Sequence, residues 1–174
     1  MSSGDSLCAW EPKSNDPPDA DFATFDAILT TSADEPDDVI PVYDFDPGAT
    51  QEYLVLPGPV MPKHYGGGGV TLDIWFMCEA TSGNVKVDAA FKDLSAGVNL
   101  LTATYAAVNT DTVAVNATAR VIFKATITFT DGADMDSVSA GNPFNLLITR
   151  DSADAADTVN SNDLEFFRAH LFET

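Results

Sequence analysis

Apolar and polar residues alternate along Val70-Thr71-Leu72-Asp73-Ile74-Trp75-Phe76-Met77-Cys78-Glu79-Ala80. In an extended chain Val70, Leu72, Ile74, Phe76 and Cys78 fall on one side. Thr71, Asp73, Trp75, Met77 and Glu79 fall on the other, which is the pattern of a half-buried β-strand. The run Gly66-Gly67-Gly68-Gly69 precedes this segment and is a turn signal. Comparable patterning predicts strands over 22–31, 39–45, 51–56, 85–92, 120–130, 143–150 and 164–173, and the weaker patterning of 100–108 and 112–118 offers further candidates. Pro41 suggests an edge or a bulge within 39–45. The turn Thr81-Ser82-Gly83-Asn84 reads as hairpin-like and predicts that 70–80 pairs with 85–92. In 164–173 strict alternation places Leu164, Phe166, Arg168, His170 and Phe172 on one face and Phe167 and Leu171 on the other, so both faces are expected to be covered.

No helical pattern interrupts these segments. About eight antiparallel strands with turn signals between them predict an all-β chain folded as a jelly-roll β-sandwich, in which two sheets close over one core. The division expected is an extended N-terminal arm over 1–21 and a jelly-roll domain over 22–174. The arm is polar and rich in Pro and Asp, as in Pro12-Lys13-Ser14-Asn15-Asp16-Pro17-Pro18-Asp19, and holds too little apolar surface to fold alone. Trp10 is its exceptional residue. Two readings stand: an anchor in a neighbouring subunit's groove, or a ring folded back on its own domain.

A length of 174 residues suits one domain with a real core. The charge changes the picture more. Twenty-seven Asp and Glu against 8 Lys and Arg give a formal charge of −19. The resulting field repels nucleic acid and anionic membrane, and no basic patch is present to displace counterions from phosphate. The acidity fits either a solubility or salt adaptation, or attraction to a cationic partner or divalent ions. Met1-Ser2-Ser3-Gly4-Asp5 has neither the basic nor the apolar region of a signal peptide, and no segment approaches the roughly 20 apolar residues of a membrane span. The expectation is synthesis in a cytoplasm. Cys8 and Cys78 are widely separated and form no Cys-x-x-Cys; a bridge between them has no sequence support.

Candidate chemistry is sparse. His64 and His170 are the available bases, and no Gly-x-Ser-x-Gly accompanies them. Two distant histidines and two distant cysteines do not make a zinc site. Asp73 and Glu79 share a strand face, with Asp88 expected on the adjacent strand; they read as a solvated face and not as a hydrolytic pair. The loops Asp131-Gly132-Ala133-Asp134-Met135-Asp136 and Asp151-Ser152-Ala153-Asp154-Ala155-Ala156-Asp157 offer oxygens to calcium but lack the EF-hand spacing. No cofactor and no enzymatic activity are expected.

Several segments together resemble a known group. They are Phe45-Asp46 to Tyr53, Val60-Met61-Pro62 with Tyr65-Gly66-Gly67, the turn Ala80-Thr81-Ser82-Gly83-Asn84-Val85, and Ile148-Thr149-Arg150-Asp151-Ser152-Ala153-Asp154-Ala155-Ala156-Asp157-Thr158. This order, over roughly residues 45–174, resembles small virion proteins of tailed bacteriophages, chiefly capsid decoration (cement) proteins. The resemblance implies a jelly-roll structural protein on the capsid exterior, a homotrimer whose partner is the major capsid protein. Apolar anchors for such contacts are expected at Trp10, Trp75, Met77, Phe167 and Leu171. A competing reading is a carbohydrate- or receptor-binding jelly roll of a fibre or tail appendage, for which Trp75, Tyr65 and Tyr105 are the candidate aromatic platforms.

Overall fold

The computed structural model describes residues 4–10, 21–29, 37–48, 50–57 and 59–174. The chain is all-β. Ten strands are present among these residues: β1 Ser6–Trp10, β2 Thr24–Leu29, β3 Val39–Phe45, β4 Glu52–Leu56, β5 Val70–Cys78, β6 Asn84–Asp93, β7 Asn109–Ala114, β8 Phe123–Phe129, β9 Phe144–Arg150 and β10 Leu164–Glu173. They form two antiparallel sheets. Sheet A has the order β2-β3-β10-β5-β8, with β1 also paired to β10; sheet B has the order β4-β9-β6-β7. Every connection from β3 to β10 except β6–β7 passes from one sheet to the other, which is the wrapping of a jelly-roll sandwich.

The core is where the two inner faces meet. Val70, Leu72, Ile74, Phe76 and Cys78 of β5 all enter it, as the alternation requires. Aromatic rings join the sheets: Phe91 of β6 meets Phe129 of β8 edge-on at 4.9 Å, and Trp10 of β1 meets Phe144 of β9 edge-on at 6.3 Å. Such pairs add about 0.5–1.5 kcal/mol each beyond the area they bury. Along one side the sheets are stitched at their edges, where Asn109 Nδ2 donates to the Thr128 carbonyl at 2.6 Å and the Thr126 amide donates to Asp111 Oδ2 at 2.8 Å.

Four expectations need correction. The segment 81–84 is not a hairpin: β5 lies in sheet A between β10 and β8, while β6 lies in sheet B between β9 and β7. A turn signal shows where a strand ends, not whether the chain stays in its sheet. Gly83 has φ 107° and a Cβ there would lie 3.0 Å from both Thr158 and Val159, so the crossing packs tightly against the β9–β10 loop. Residues 100–108 are not a strand; they form turns and irregular chain, and β7 begins only at Asn109. Residues 4–10 are not part of a free arm, because β1 pairs with residues 169–172 of β10. Residues 11–20 of the expected arm lie outside the described residues.

The fourth correction concerns β10. Phe166 stands opposite Phe76 and Arg168 opposite Trp75, so a β-bulge inserts one residue between them. Leu164, Phe166, Ala169 and Leu171 therefore face the core. The bulge reverses the alternation halfway along the strand, so Leu171 and Phe166 share a face despite their odd separation.

The glycine run crosses the end of sheet A. A Cβ on Gly69 would sit 2.6 Å from the Phe129 carbonyl oxygen. That atom is fixed in the β5–β8 ladder. Gly69→Ala is expected to cost about 1–3 kcal/mol through overpacking, seen as a lower urea midpoint with an unchanged m-value. A midpoint equal to that of wild type would show that the strand end yields freely.

The two ends of the Arg150-to-Asp157 segment, conspicuous in the sequence, form a buried knot, while Ala153, Ala155 and Ala156 between them are exposed. The Arg150 side chain is 1% exposed and that of Asp157 is 0% exposed. Arg150 Nε donates to Asp157 Oδ2 at 3.0 Å, Nη1 donates to the carbonyls of Phe45 at 3.1 Å and Asn162 at 3.0 Å, and Nη2 donates to the Val159 carbonyl. Asp157 Oδ1 in turn accepts the Val159 amide at 3.0 Å. One guanidinium thus ties β3, β9 and the β9–β10 loop together.

Candidate recess on the outer face of sheet A

The polar side of β5 does not face empty solvent; it forms the middle of a structured surface. Because of the bulge, Phe167 and Arg168 both stand opposite Trp75, and Lys124 of β8 stands opposite it on the other side. The next row contains Ala9, His170, Asp73 and Thr126. Ala9, Trp75, Ile122, Phe167, Arg168 and His170 line a recess of about 550 Å³, within the range of small-ligand sites. Trp75 and Phe167 are half-buried, while Arg168 and Ile122 are exposed. The floor is therefore aromatic and reachable.

The polar groups at its edge are held in place. Asp73 accepts from Lys124 Nζ and from Thr126 Oγ1, each at 2.8 Å. Ser6 Oγ and His170 Nε2 are 2.7 Å apart, and the His170 ring packs on Phe172 with centroids 5.5 Å apart.

In the row beyond Trp75, Asp44 of β3 stands opposite Glu165 of β10, which stands opposite Met77. Asp44 Oδ1 and Glu165 Oε2 are buried with no hydrogen-bond partner among the described residues. Burial, followed by the charges of Glu165, Asp26, Asp163 and Asp46, pushes the Asp44 carboxyl up to about 7. Burial also raises Glu165, opposed by Arg120. The Arg120 guanidinium lies 2.7 Å from Glu79 Oε1 and 3.8 Å from Glu165 Oε1. Asp73 and Glu79 share this face as expected, but Asp88 lies on sheet B, beside Lys86 and Thr110.

The five expected anchors divide sharply. Trp10 is 9% exposed and packs in this chain's own core, so its ring is the folded-back one. Leu171 is a core residue at 0%. Met77 is 5% exposed, although it stands apart from the core cluster. Of the five, Trp75 and Phe167 line the recess together. The other proposed platforms are elsewhere. Tyr65 is buried at one end of the sandwich, where its hydroxyl donates to the Gly68 carbonyl and lies 3.0 Å from Asp131 Oδ1. Tyr105 lies over sheet B, with Lys92 Nζ 5.5 Å from its ring centroid and Asn145 as a hydrogen-bond partner.

The loop carboxylates considered for calcium are turned to protein partners. Asp134 accepts the Thr130 amide and hydroxyl, Asp136 accepts the Asp93 amide, Asp154 accepts Lys86 Nζ at 2.6 Å, and Asp157 holds Arg150. Among the described residues no three His, Cys, Asp or Glu side chains gather as a metal would require. Cys8 and Cys78 are free thiols, both raised by burial, Cys8 to about 11. His64 lies in the β4–β5 loop and His170 on β10.

Ala9, Ile122 and Arg168 were not legible as site residues. The sole signal was the alternation that put Trp75 outward; the bulge and the docking of β1 supplied the rest.

No protein-family model matches the sequence, and no curated protein matches it significantly. Among solved structures, the chain is similar to the CBM22-1 xylan-binding domain of Xyn10C from Paenibacillus barcinonensis, with TM-score 0.41 and 11% identity over 100% of this chain and 99% of that one. It is similar to a putative sugar binding protein from Bacteroides thetaiotaomicron, with TM-score 0.47 and 9% identity over 90% and 85%. It is also similar to the CBM22-2 xylan-binding domain of the same Xyn10C, with TM-score 0.42 and 10% identity over 87% and 88%.

Proposed function

We propose that this chain is a non-catalytic glycan-binding module that takes a sugar chain on the outer face of sheet A. The observation that carries this reading is the convergence of Trp75 and Phe167 in one recess edged by fixed polar groups. A sugar ring has an apolar C–H face and a rim of hydroxyls. Aromatic side chains gain by covering the first, and oriented side chains at the margin satisfy the second. Both halves of that requirement occur here on rigid strands, where little ordering has to accompany binding.

Affinity electrophoresis through gels containing a panel of neutral and acidic polysaccharides tests the reading. Wild type is expected to be retarded by at least one of them. Trp75→Ala should weaken that retardation by roughly tenfold to a hundredfold, the equivalent of losing about 1.5–3 kcal/mol of aromatic burial. Its melting temperature should barely move, since Trp75 lies outside the core cluster. Migration unaffected by every polysaccharide would remove the proposal. A shell-binding protein would use the same two available anchors, so a particle map with this recess pressed against a capsid lattice is the result that replaces the glycan by a protein surface.

A further inference from the structure

Independently of the glycan reading, we propose that the outer edge of β2 takes an extended segment of a partner protein in which apolar and cationic residues alternate, added to sheet A as a further strand. Among the described residues β2 pairs with β3 alone and ends the sheet. Every residue of β2 except Ile28 is exposed. The Ala27 amide donates to the side chain beside it, Asp26 Oδ1, at 2.7 Å. An amide used in this way is not part of the β3 ladder. Ladder-bonded and outward positions alternate in an antiparallel pair, so the backbone groups of Phe25, Ala27 and Leu29 face away from β3. A row of outward donors and acceptors is a template for another strand.

The two faces of this edge differ. Phe25 stands opposite Tyr43, and their rings meet at 5.7 Å. Tyr43 belongs to the core. Leu29 and Val39, opposite each other, continue that face beyond the core. Yet Phe25 is 39% exposed, Leu29 59% and Val39 65%, so apolar side chains of an added strand would cover them. The other face is acidic. Asp26 is exposed on it, and the row Thr24, Asp44, Glu165 runs inward from the edge. Glu165 is only 8% exposed, and its Oε2 and Asp44 Oδ1 are buried without a hydrogen-bond partner among the described residues. A Lys or Arg reaching over Thr24 supplies the missing donor. The sequence between Lys13 and Lys63, which includes β2 and β3, contains no Lys, Arg or His. Because side chains of a strand alternate between faces, the segment that fits both faces alternates apolar and cationic residues. The same charges disfavour a second copy as occupant: pairing two β2 edges brings Asp26 near its twin, between molecules of charge −19 each.

Fluorescence anisotropy with a labelled peptide of alternating Val and Arg, and with a peptide of the same composition arranged in two blocks, tests this. The alternating peptide is expected to bind at least about tenfold more tightly. Methylating its backbone nitrogens at every second residue should abolish that advantage in one of the two phases and spare it in the other, because only one set of amides faces β2. Asp26→Asn should weaken binding several-fold and flatten its salt dependence. Amide hydrogen exchange at Phe25, Ala27 and Leu29 should slow when the alternating peptide is bound. Equal affinity for the two arrangements, or for the two methylated phases, reduces the effect to general charge attraction and overturns the proposal. So does an absence of binding at low salt, or a protein that dimerises through β2 by itself in analytical ultracentrifugation. Each of these outcomes leaves the glycan reading standing.

Discussion

Arg150→Met is expected to lower the unfolding free energy by about 4 kcal/mol. The substitution removes a guanidinium that is 1% exposed and leaves its carboxylate partner, 0% exposed, with no counter-charge. It also strips hydrogen bonds from the carbonyls of Phe45, Asn162 and Val159. Breaking a buried pair by deleting one member costs about 3–5 kcal/mol, mostly as the penalty on the charge left behind. Asp157→Leu should cost somewhat less, because the arginine keeps its three carbonyls. The double variant Arg150→Met/Asp157→Leu should be less destabilised than the sum of the two singles, since neither charge is then stranded. Urea unfolding of the four proteins measures this cycle. Strictly additive losses would show that the pair is not coupled, and a loss under 1 kcal/mol in Arg150→Met would show that the knot holds nothing.

Asp44→Asn is expected to stabilise the protein at alkaline pH and to leave it nearly unchanged in acid. Between the ordinary carboxyl value of 3.8 and the value of about 7 in the fold, the native chain keeps a proton that the unfolded chain has released. Stability therefore falls as pH rises through that window and stays reduced above it. Glu165, raised as well and directly opposite, acts in the same direction. The rise from 3.8 to about 7 corresponds to an upper bound near 4 kcal/mol, at about 1.4 kcal/mol for each pH unit. Partial solvation and coupling to four other acids reduce the realistic gain to roughly 1–2 kcal/mol at pH 8. Thermal melts at pH 4.5 and pH 8 check it. The variant should melt several degrees above wild type at pH 8 and close to it at pH 4.5. Equal differences at both values would mean that Asp44 ionises normally and that the effect lies in packing.

Both features reach the recess through β10. The knot at Arg150 closes the loop that leads into β10, and β10 supplies Glu165, Phe167, Arg168 and His170 to the outer face. The same strand therefore carries a core half, an acid row and the recess, and its bulge divides them.

That bulge also shows where reading the sequence runs out. Alternation along 70–78 placed every β5 side chain on its proper side, because a strand held between two neighbours has no freedom to slip. The same rule applied to 164–173 put Leu171 outside and Arg168 with the core residues, since one unpaired residue reverses all that follow it and leaves no mark in the pattern. Trp10 was ambiguous for a related reason. Five residues flanked by a polar stretch show no partner, and their partner, β10, lies about 160 positions away along the chain.

What the sequence determined by itself was local: a β-rich chain, most strand positions, an outward Trp75, and a strongly negative charge balance. These follow from side-chain period, turn chemistry and composition, which act over a few residues. The tertiary structure alone decided that β5 and β6 belong to different sheets, that Arg150 and Asp157 are buried, and that Trp75, Phe167, Arg168 and His170 share one recess. Those outcomes depend on pairings between distant segments, and the energy that selects them comes from filling the space between two sheets, which no single segment can specify.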